Sequence, residues 1–121
     1  MQFAQKNFHK KLLGKVGEDK AAQYLKKKVI KVLERNYKNH FGEIDIIAKD
    51  GEYTVFIEVK TRTSDDFGTP SEAVDYRKRQ KYGLIAKSYL AAKGLFDTAV
   101  RFDVIEVENG KINHISDAFS L

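Results

Sequence analysis

The sequence predicts an α/β sandwich in which helices pack against a mixed β-sheet. Three observations carry that expectation. Residues 8–28 place Leu13, Val16, Gly17, Ala21 and Tyr24 on one face at helical period. Two apolar runs, residues 43–49 and 52–61, flank the turn signal Asp50-Gly51 and read as a β-hairpin. A second helical segment then separates this hairpin from two more strands.

Taken in order, the first helix spans residues 8–28, with Glu18 at the flank of its apolar face beside Ala21 and Leu25. Residues 29–35 alternate Val29, Ile30, Val32 and Leu33 with basic residues, and part of this segment is a first strand. The second and third strands are the hairpin. In the third, Val55, Ile57 and Val59 face opposite to Phe56, Glu58 and Lys60. A polar loop follows at residues 63–68. Thr69 then caps a second helix, Pro70 takes its first position and Glu72 completes a capping box. That helix runs to about residue 93, where Gly94 ends it, and Gly83 is a point at which it can kink. Residues 100–107 and 112–115 are the last strands, joined at Asn109-Gly110. The order is α-β-β-β-α-β-β.

A length of 121 residues fits one domain, residues 1–121, with a modest core. The net charge of +5 and a pI near 9.3 point to an anionic partner such as nucleic acid. The absence of cysteine excludes disulfides and thiolate zinc sites. His9, His40 and His114 show no ligand spacing and read as surface residues. The first eleven residues are polar and basic, unlike a secretory signal, and no stretch reaches the roughly 20 apolar residues of a membrane span. These features lead to the expectation of a soluble, cytoplasmic protein with no membrane partner.

Charge stands where strands should carry hydrocarbon. In Gly42-Glu43-Ile44-Asp45-Ile46-Ile47, Glu43 and Asp45 share strand parity; in Ile57-Glu58-Val59-Lys60, so do Glu58 and Lys60. Paired as a hairpin, the two strands bring acid, acid and lysine to one patch. Burying such groups is costly, so strongly apolar strands seldom carry them without a reason. Carboxylates on separate elements can hold Mg²⁺, which takes oxygen ligands and activates water beside a phosphate. Glu18, Asp45, Glu58 and Lys60 thus match phosphodiester hydrolysis better than acyl transfer, and neither a Gly-x-Ser-x-Gly motif nor a P-loop is present. Taken alone, a Glu-x-Lys pair is usually a solvated strand edge. At the second helix, Arg77 and Lys81 share a face with Val74, Leu84 and Ile85, with Lys78 at its edge. Either these stems snorkel to solvent or the helix start lines the same cleft and holds phosphates. Lys26-Lys27-Lys28 reads as a solvated helix end, and Arg101 with Asp103 as a structural ion pair.

Nearly the whole chain resembles the bacterial YraN family. The resemblance rests on Gly17-Glu18 with Ala21, Tyr24 and Leu25, on Leu33-Glu34-Arg35-Asn36-Tyr37, and on the two charged strand motifs extended through Thr61-Arg62. Phe67-Gly68, Ala73-Val74, Lys78 and Arg101-Phe102-Asp103-Val104 complete it. It implies a restriction-endonuclease-like three-layer sandwich, similar to Holliday junction resolvases. In that case Glu18, Asp45, Glu58 and Lys60 occupy the PD-(D/E)XK positions. Asp45, Glu58 and Glu18 would hold Mg²⁺ or Mn²⁺, Lys60 would position the nucleophile, and Arg62, Arg77, Lys78 and Lys81 would contact nucleic acid, DNA before RNA. Ile44 replaces the motif's proline, as is normal for the family. Lys27-Lys28-Val29 stands where a glycine usually precedes the first strand. A non-catalytic nucleic-acid-binding protein and an adaptor for an acidic partner remain the alternatives, since one fold hosts many functions. A homodimer also remains open.

Overall fold

The structure is a computed structural model. It describes the backbone of residues 2–62 and 76–120, and side chains from residue 11 onward within those ranges. The elements are α1 (Gln2–Lys27), β1 (Lys31–Asn39), β2 (Gly42–Asp50), β3 (Tyr53–Arg62), α2 (Tyr76–Lys93), β4 (Ala99–Glu108) and β5 (Lys111–Phe119). The five strands form one sheet in chain order. Strands β1, β2 and β3 pair antiparallel, β3 and β4 pair parallel, and β4 and β5 pair antiparallel. A parallel pair needs a crossover connection, and α2 lies on it between β3 and β4. The result is a three-layer α/β sandwich with a mixed central sheet.

Strand alternation builds both apolar layers. Ile46, Ala48, Val55, Ile57, Ile105 and Val107 bury one sheet face against Ala21 and Leu25 of α1. Ile47, Phe56, Phe102 and Val104 bury the other against Tyr82, Ile85, Ala86 and Tyr89 of α2. The three central strands are covered on both faces, which is why they read as continuous apolar runs.

Several boundaries differ from the sequence expectation. β1 begins two residues later and ends four later, because Val29 and Ile30 serve as the end of α1. Ile30 N–H donates to the Leu25 carbonyl and Val29 N–H to that of Lys26, with Val29 in the left-handed region at φ 64°. That is the helix-ending geometry glycine favours. The β2–β3 turn consists of Gly51 and Glu52, one residue beyond Asp50-Gly51, with Asp50 pairing Tyr53. β5 extends to Phe119 through an irregular step at Asp117, which carries φ 53°. Helix α2 runs unbroken through Gly83. The expected caps at Thr69, Pro70 and Glu72 lie outside the described residues. Val16, expected in the α1 core face, is exposed, whereas Gly17, Ala21 and Leu25 are buried. Among the described residues no helix is long and apolar enough to cross a membrane.

Candidate functional site

The site forms where strand alternation fails. Ile44 packs toward α2 and Ile46 toward α1, although residues two apart on a strand should share a face. Across from them, Arg35 pairs with Asp19 of α1 while Tyr37 packs in the α2 layer. The register sets Arg35 against Ile46 and Tyr37 against Ile44, so Asn36 stands opposite Asp45. Asn36 carries φ 52°, a conformation asparagine tolerates better than most residues. Both strands therefore reverse their faces at one level, with Asn36 and Asp45 at the reversal.

Pairing of β2 with β3 runs from Asp50–Tyr53 to Ile46–Ile57 and stops there. The Asp45 carboxylate takes over, its Oδ2 accepting a hydrogen bond from the Val59 amide at 2.7 Å. The expected arrangement, with Asp45, Glu58 and Lys60 together on one sheet face, is thus modified. Glu58 and Lys60 do continue the Phe56 face, toward α2. Asp45 instead sits at the split between strands, close enough to feel carboxylates from both sides. Its pKa is pushed up to about 6, by burial first and then by Glu18, Glu58 and Glu43, against the opposing Val59 hydrogen bond.

Two glycines bring the helices to this point. A Cβ on Gly17 would collide with Thr61, so α1 approaches the end of β3 and presents Glu18 next in sequence. At Gly42, φ 147° requires glycine, and the Lys81 stem occupies the space a Cβ would need, drawing α2 against the start of β2.

Glu58 is buried at 6% exposure. Its Oε1 receives Lys60 Nζ from its own strand and Lys78 Nζ from α2, each at 3.0 Å. Its Oε2 is buried with no hydrogen-bond partner among the described residues. Tyr82, one turn beyond Lys78, turns its hydroxyl toward Glu58. Burial, then the Glu58 charge, holds that hydroxyl well above the usual tyrosine range, and so protonated.

The four expected phosphate contacts divide. Lys78 is on Glu58, and Arg62 is paired with Glu106. Arg77 and Lys81 are exposed, but not on the packed face expected for them. The packed face of α2 is Tyr82, Ile85, Ala86 and Tyr89, and Leu84 is also exposed. Reading the face from Val74 and Leu84 turned the helix by about one residue. The sequence reading also passed over Asn36 and Tyr82. The i, i+4 spacing of Lys78 and Tyr82 was the available signal for the latter. His114, expected on the surface, is instead largely buried. Its Nε2 lies 2.7 Å from Asp103 Oδ2 and its Nδ1 3.0 Å from the Tyr24 hydroxyl. The expected Arg101–Asp103 ion pair is present at 2.9 Å.

A family model described as an uncharacterised protein family, UPF0102, matches residues 17–107. The chain belongs to the UPF0102 family. It is 50% identical to a UPF0102 protein of Caldanaerobacter subterraneus subsp. tengcongensis, covering 94% of this chain and 99% of that one. A Thermodesulfovibrio yellowstonii relative is 50% identical over 88% of this chain and 95% of its own. One from Rhodococcus opacus is 40% identical over 92% and 98%. The family match begins at Gly17-Glu18 and spans Asp45, Glu58, Lys60, Lys78 and Tyr82.

Proposed function

We propose that this UPF0102 protein is a divalent-metal-dependent nuclease of restriction-endonuclease-like type acting on DNA, with branched DNA among the substrates to test. The observation that carries the reading is the Asp45 carboxyl. It is half-buried at a strand split, near Glu18, Glu58 and Glu43, and accepts a hydrogen bond from the Val59 amide; burial and the three acids push its pKa up to about 6. A carboxyl held away from solvent beside three other acids is one whose ionised form a cation would favour.

The donor set fits a hard cation. The candidate ligands are carboxylate oxygens, and Glu58 Oε2 is a buried acceptor with nothing to accept from among the described residues. No three described Asp, Glu, His or Cys groups stand close enough together to enclose an ion. Mg²⁺ does not require that, since it is commonly held by one or two carboxylates with water and substrate phosphate completing its shell. Asp45 and Glu58 would be those ligands, with Mn²⁺ the alternative ion and Glu18 acting directly or through water. Such an ion would neutralise phosphate charge and acidify a nearby water. The chain's own groups do the rest. Lys60 and Lys78 hold Glu58 by Oε1, leaving Oε2 directed elsewhere, and their ammonium groups favour an anion beside it. Tyr82, neutral and buried, keeps the Glu58 surroundings dry on the α2 side.

The same double ion pair supports the second reading, a non-catalytic nucleic-acid-binding module in which two lysines have neutralised Glu58 for good. Incubating the protein with duplex, single-stranded and four-way-junction DNA, and with RNA, in Mg²⁺, Mn²⁺ or EDTA separates the two. Cleavage should require the divalent ion, and Asp45→Asn should lower it by about a hundredfold or more while DNA binding persists. No cleavage of any substrate, with no heat of Mg²⁺ or Mn²⁺ binding by calorimetry, would leave the binding module.

A further inference from the structure

We propose that the furrow between α1 and the edge strand β1 is a track for a phosphodiester strand, leading it to Asp45. This rests on the nuclease reading and adds the route by which its substrate arrives. Two adjoining cavities of about 560 and 510 Å³ run along the furrow and share Asp19 and Arg35. Lys11 and Lys15 line one end, Lys26 and Lys31 the other. The α1 wall follows a single i, i+4 ridge through Lys11, Lys15 and Asp19, and Lys11 to Lys26 covers about 22 Å of helix. Glu18 and Asn36 close the first cavity, and Asn36 is the residue opposite Asp45. The furrow therefore borders Glu18 and, through Asn36, the strand level of Asp45.

Its chemistry is that of a polyanion site. Four lysines and an arginine stand against Glu18 and Asp19. Arg35 is held to Asp19 at 2.7 Å, but both side chains are well exposed, at 38% and 44%. An exposed pair of this kind contributes little to stability, so Arg35 can exchange Asp19 for a phosphate. A guanidinium also engages phosphate through two parallel N–H bonds, which the furrow's lysines cannot do. On the opposite face Lys60 and Lys78 are engaged with Glu58 and Arg62 with Glu106, while Arg77 and Lys81 are exposed and line neither furrow cavity. That contrast places the track on the α1 side, away from the α2 start where the sequence expectation put it.

Fluorescence anisotropy with labelled single-stranded and four-way-junction DNA tests the track in EDTA, where binding is read without cleavage. Lys11→Ala with Lys15→Ala should weaken binding about tenfold or more at low salt. For single strands it should flatten the slope of log K against log salt by about 1.4, two contacts at roughly 0.7 each. Arg35→Ala should weaken it further, and Asp19→Asn should tighten it by releasing Arg35. Arg77→Ala with Lys81→Ala should change it little. The altered side chains are exposed, and a thermal melt confirms that each variant is folded. Binding that survives the furrow variants but falls with Arg77→Ala and Lys81→Ala overturns the track and leaves the nuclease reading standing. Binding that follows the furrow in a protein with no Mg²⁺-dependent cleavage keeps the track and sinks the nuclease. No binding to any nucleic acid overturns both.

Discussion

Asp45 and Asp103 lie in the same sheet, both are shielded from solvent, and their neighbours treat them in opposite ways. Asp103 is 1% exposed. Its Oδ1 accepts from Arg101 Nε and from the Asp117 amide, and its Oδ2 from Arg101 and His114. A carboxylate can only accept, so His114 Nε2 carries the hydrogen in that contact. Burial pushes the Asp103 pKa up, but His114, Arg101 and the Asp117 amide outweigh it and hold it below the usual carboxylate range. Asp45 has one backbone amide and three acids around it, and its pKa rises to about 6. Arg101 also reaches Asp50 at 3.0 Å, and His114 is backed by Tyr24, so the Asp103 network is complete within the chain. The Asp45 cluster is incomplete in charge. A carboxylate supplied with every partner serves the fold; one left short of countercharge is available for something else.

Asp103→Ala should show the largest effect. Removing the acid leaves His114 Nε2 without its acceptor and Arg101 with Asp50 alone, and should cost about 3–5 kcal/mol in urea unfolding. A loss below about 1 kcal/mol would mean that the network is ornamental.

Asp45→Asn should act in the other direction. The raised pKa means the folded chain favours the protonated acid, so between about pH 4 and pH 6 it binds more protons than the unfolded chain. The group's contribution to stability therefore falls as pH rises through that window. By pH 7 the deficit is about 2 kcal/mol, taking roughly 1.4 kcal/mol per pKa unit and discounting for partial exposure. Asp45→Asn should recover much of this at pH 7 and flatten the profile between pH 4 and 6. Asp103 gives the opposite slope, with stability held above the unfolded carboxyl range and lost as pH falls through its lowered pKa. Equal pH profiles for wild type and Asp45→Asn would erase the contrast between the two acids.

A divalent ion should sharpen the same contrast more gently. At about ten times its dissociation constant, Mg²⁺ or Mn²⁺ should stabilise the wild type by about 1.4 kcal/mol, readable as a rise in Tm that Asp45→Asn abolishes. A destabilised Asp103→Asn variant should keep the response, since its defect lies elsewhere.

The smallest effect belongs to the helix ends, where satisfied and unsatisfied also stand side by side. Gly94 ends α2 at φ 67°, with Leu95 N–H donating to Leu90, and Val29 ends α1 in the same way at φ 64°. Glycine takes that conformation freely, whereas a β-branched residue is strained in it. Val29 is 92% exposed and loses no burial on truncation. Val29→Gly should thus raise stability by about 1 kcal/mol.

Much of this molecule was legible in the chain. Periodicity 3.6 and 2 marked both helices and the strands, and Asp50-Gly51 and Asn109-Gly110 marked two turns, because these signals depend on residues near one another in sequence. The opposition of Val55, Ile57 and Val59 to Phe56, Glu58 and Lys60 held for the same reason. Parity also predicted that Glu58 and Lys60 would meet, and they do, at 3.0 Å. What the sequence could not determine was the state of each charge. Asp45 and Asp103 look alike in their strands, Ile44-Asp45-Ile46 and Phe102-Asp103-Val104. Only the fold gives Asp103 the ring of His114, from a strand eleven residues away, and gives Asp45 the Glu18 carboxylate from α1. The reversal of strand faces at Asn36 and Asp45 was equally invisible, since it needs two strands to break step together. Electrostatic environment falls off with distance through space, not along the chain. A sequence can therefore name the charged residues, but tertiary contact decides which are neutralised and which are left to bind.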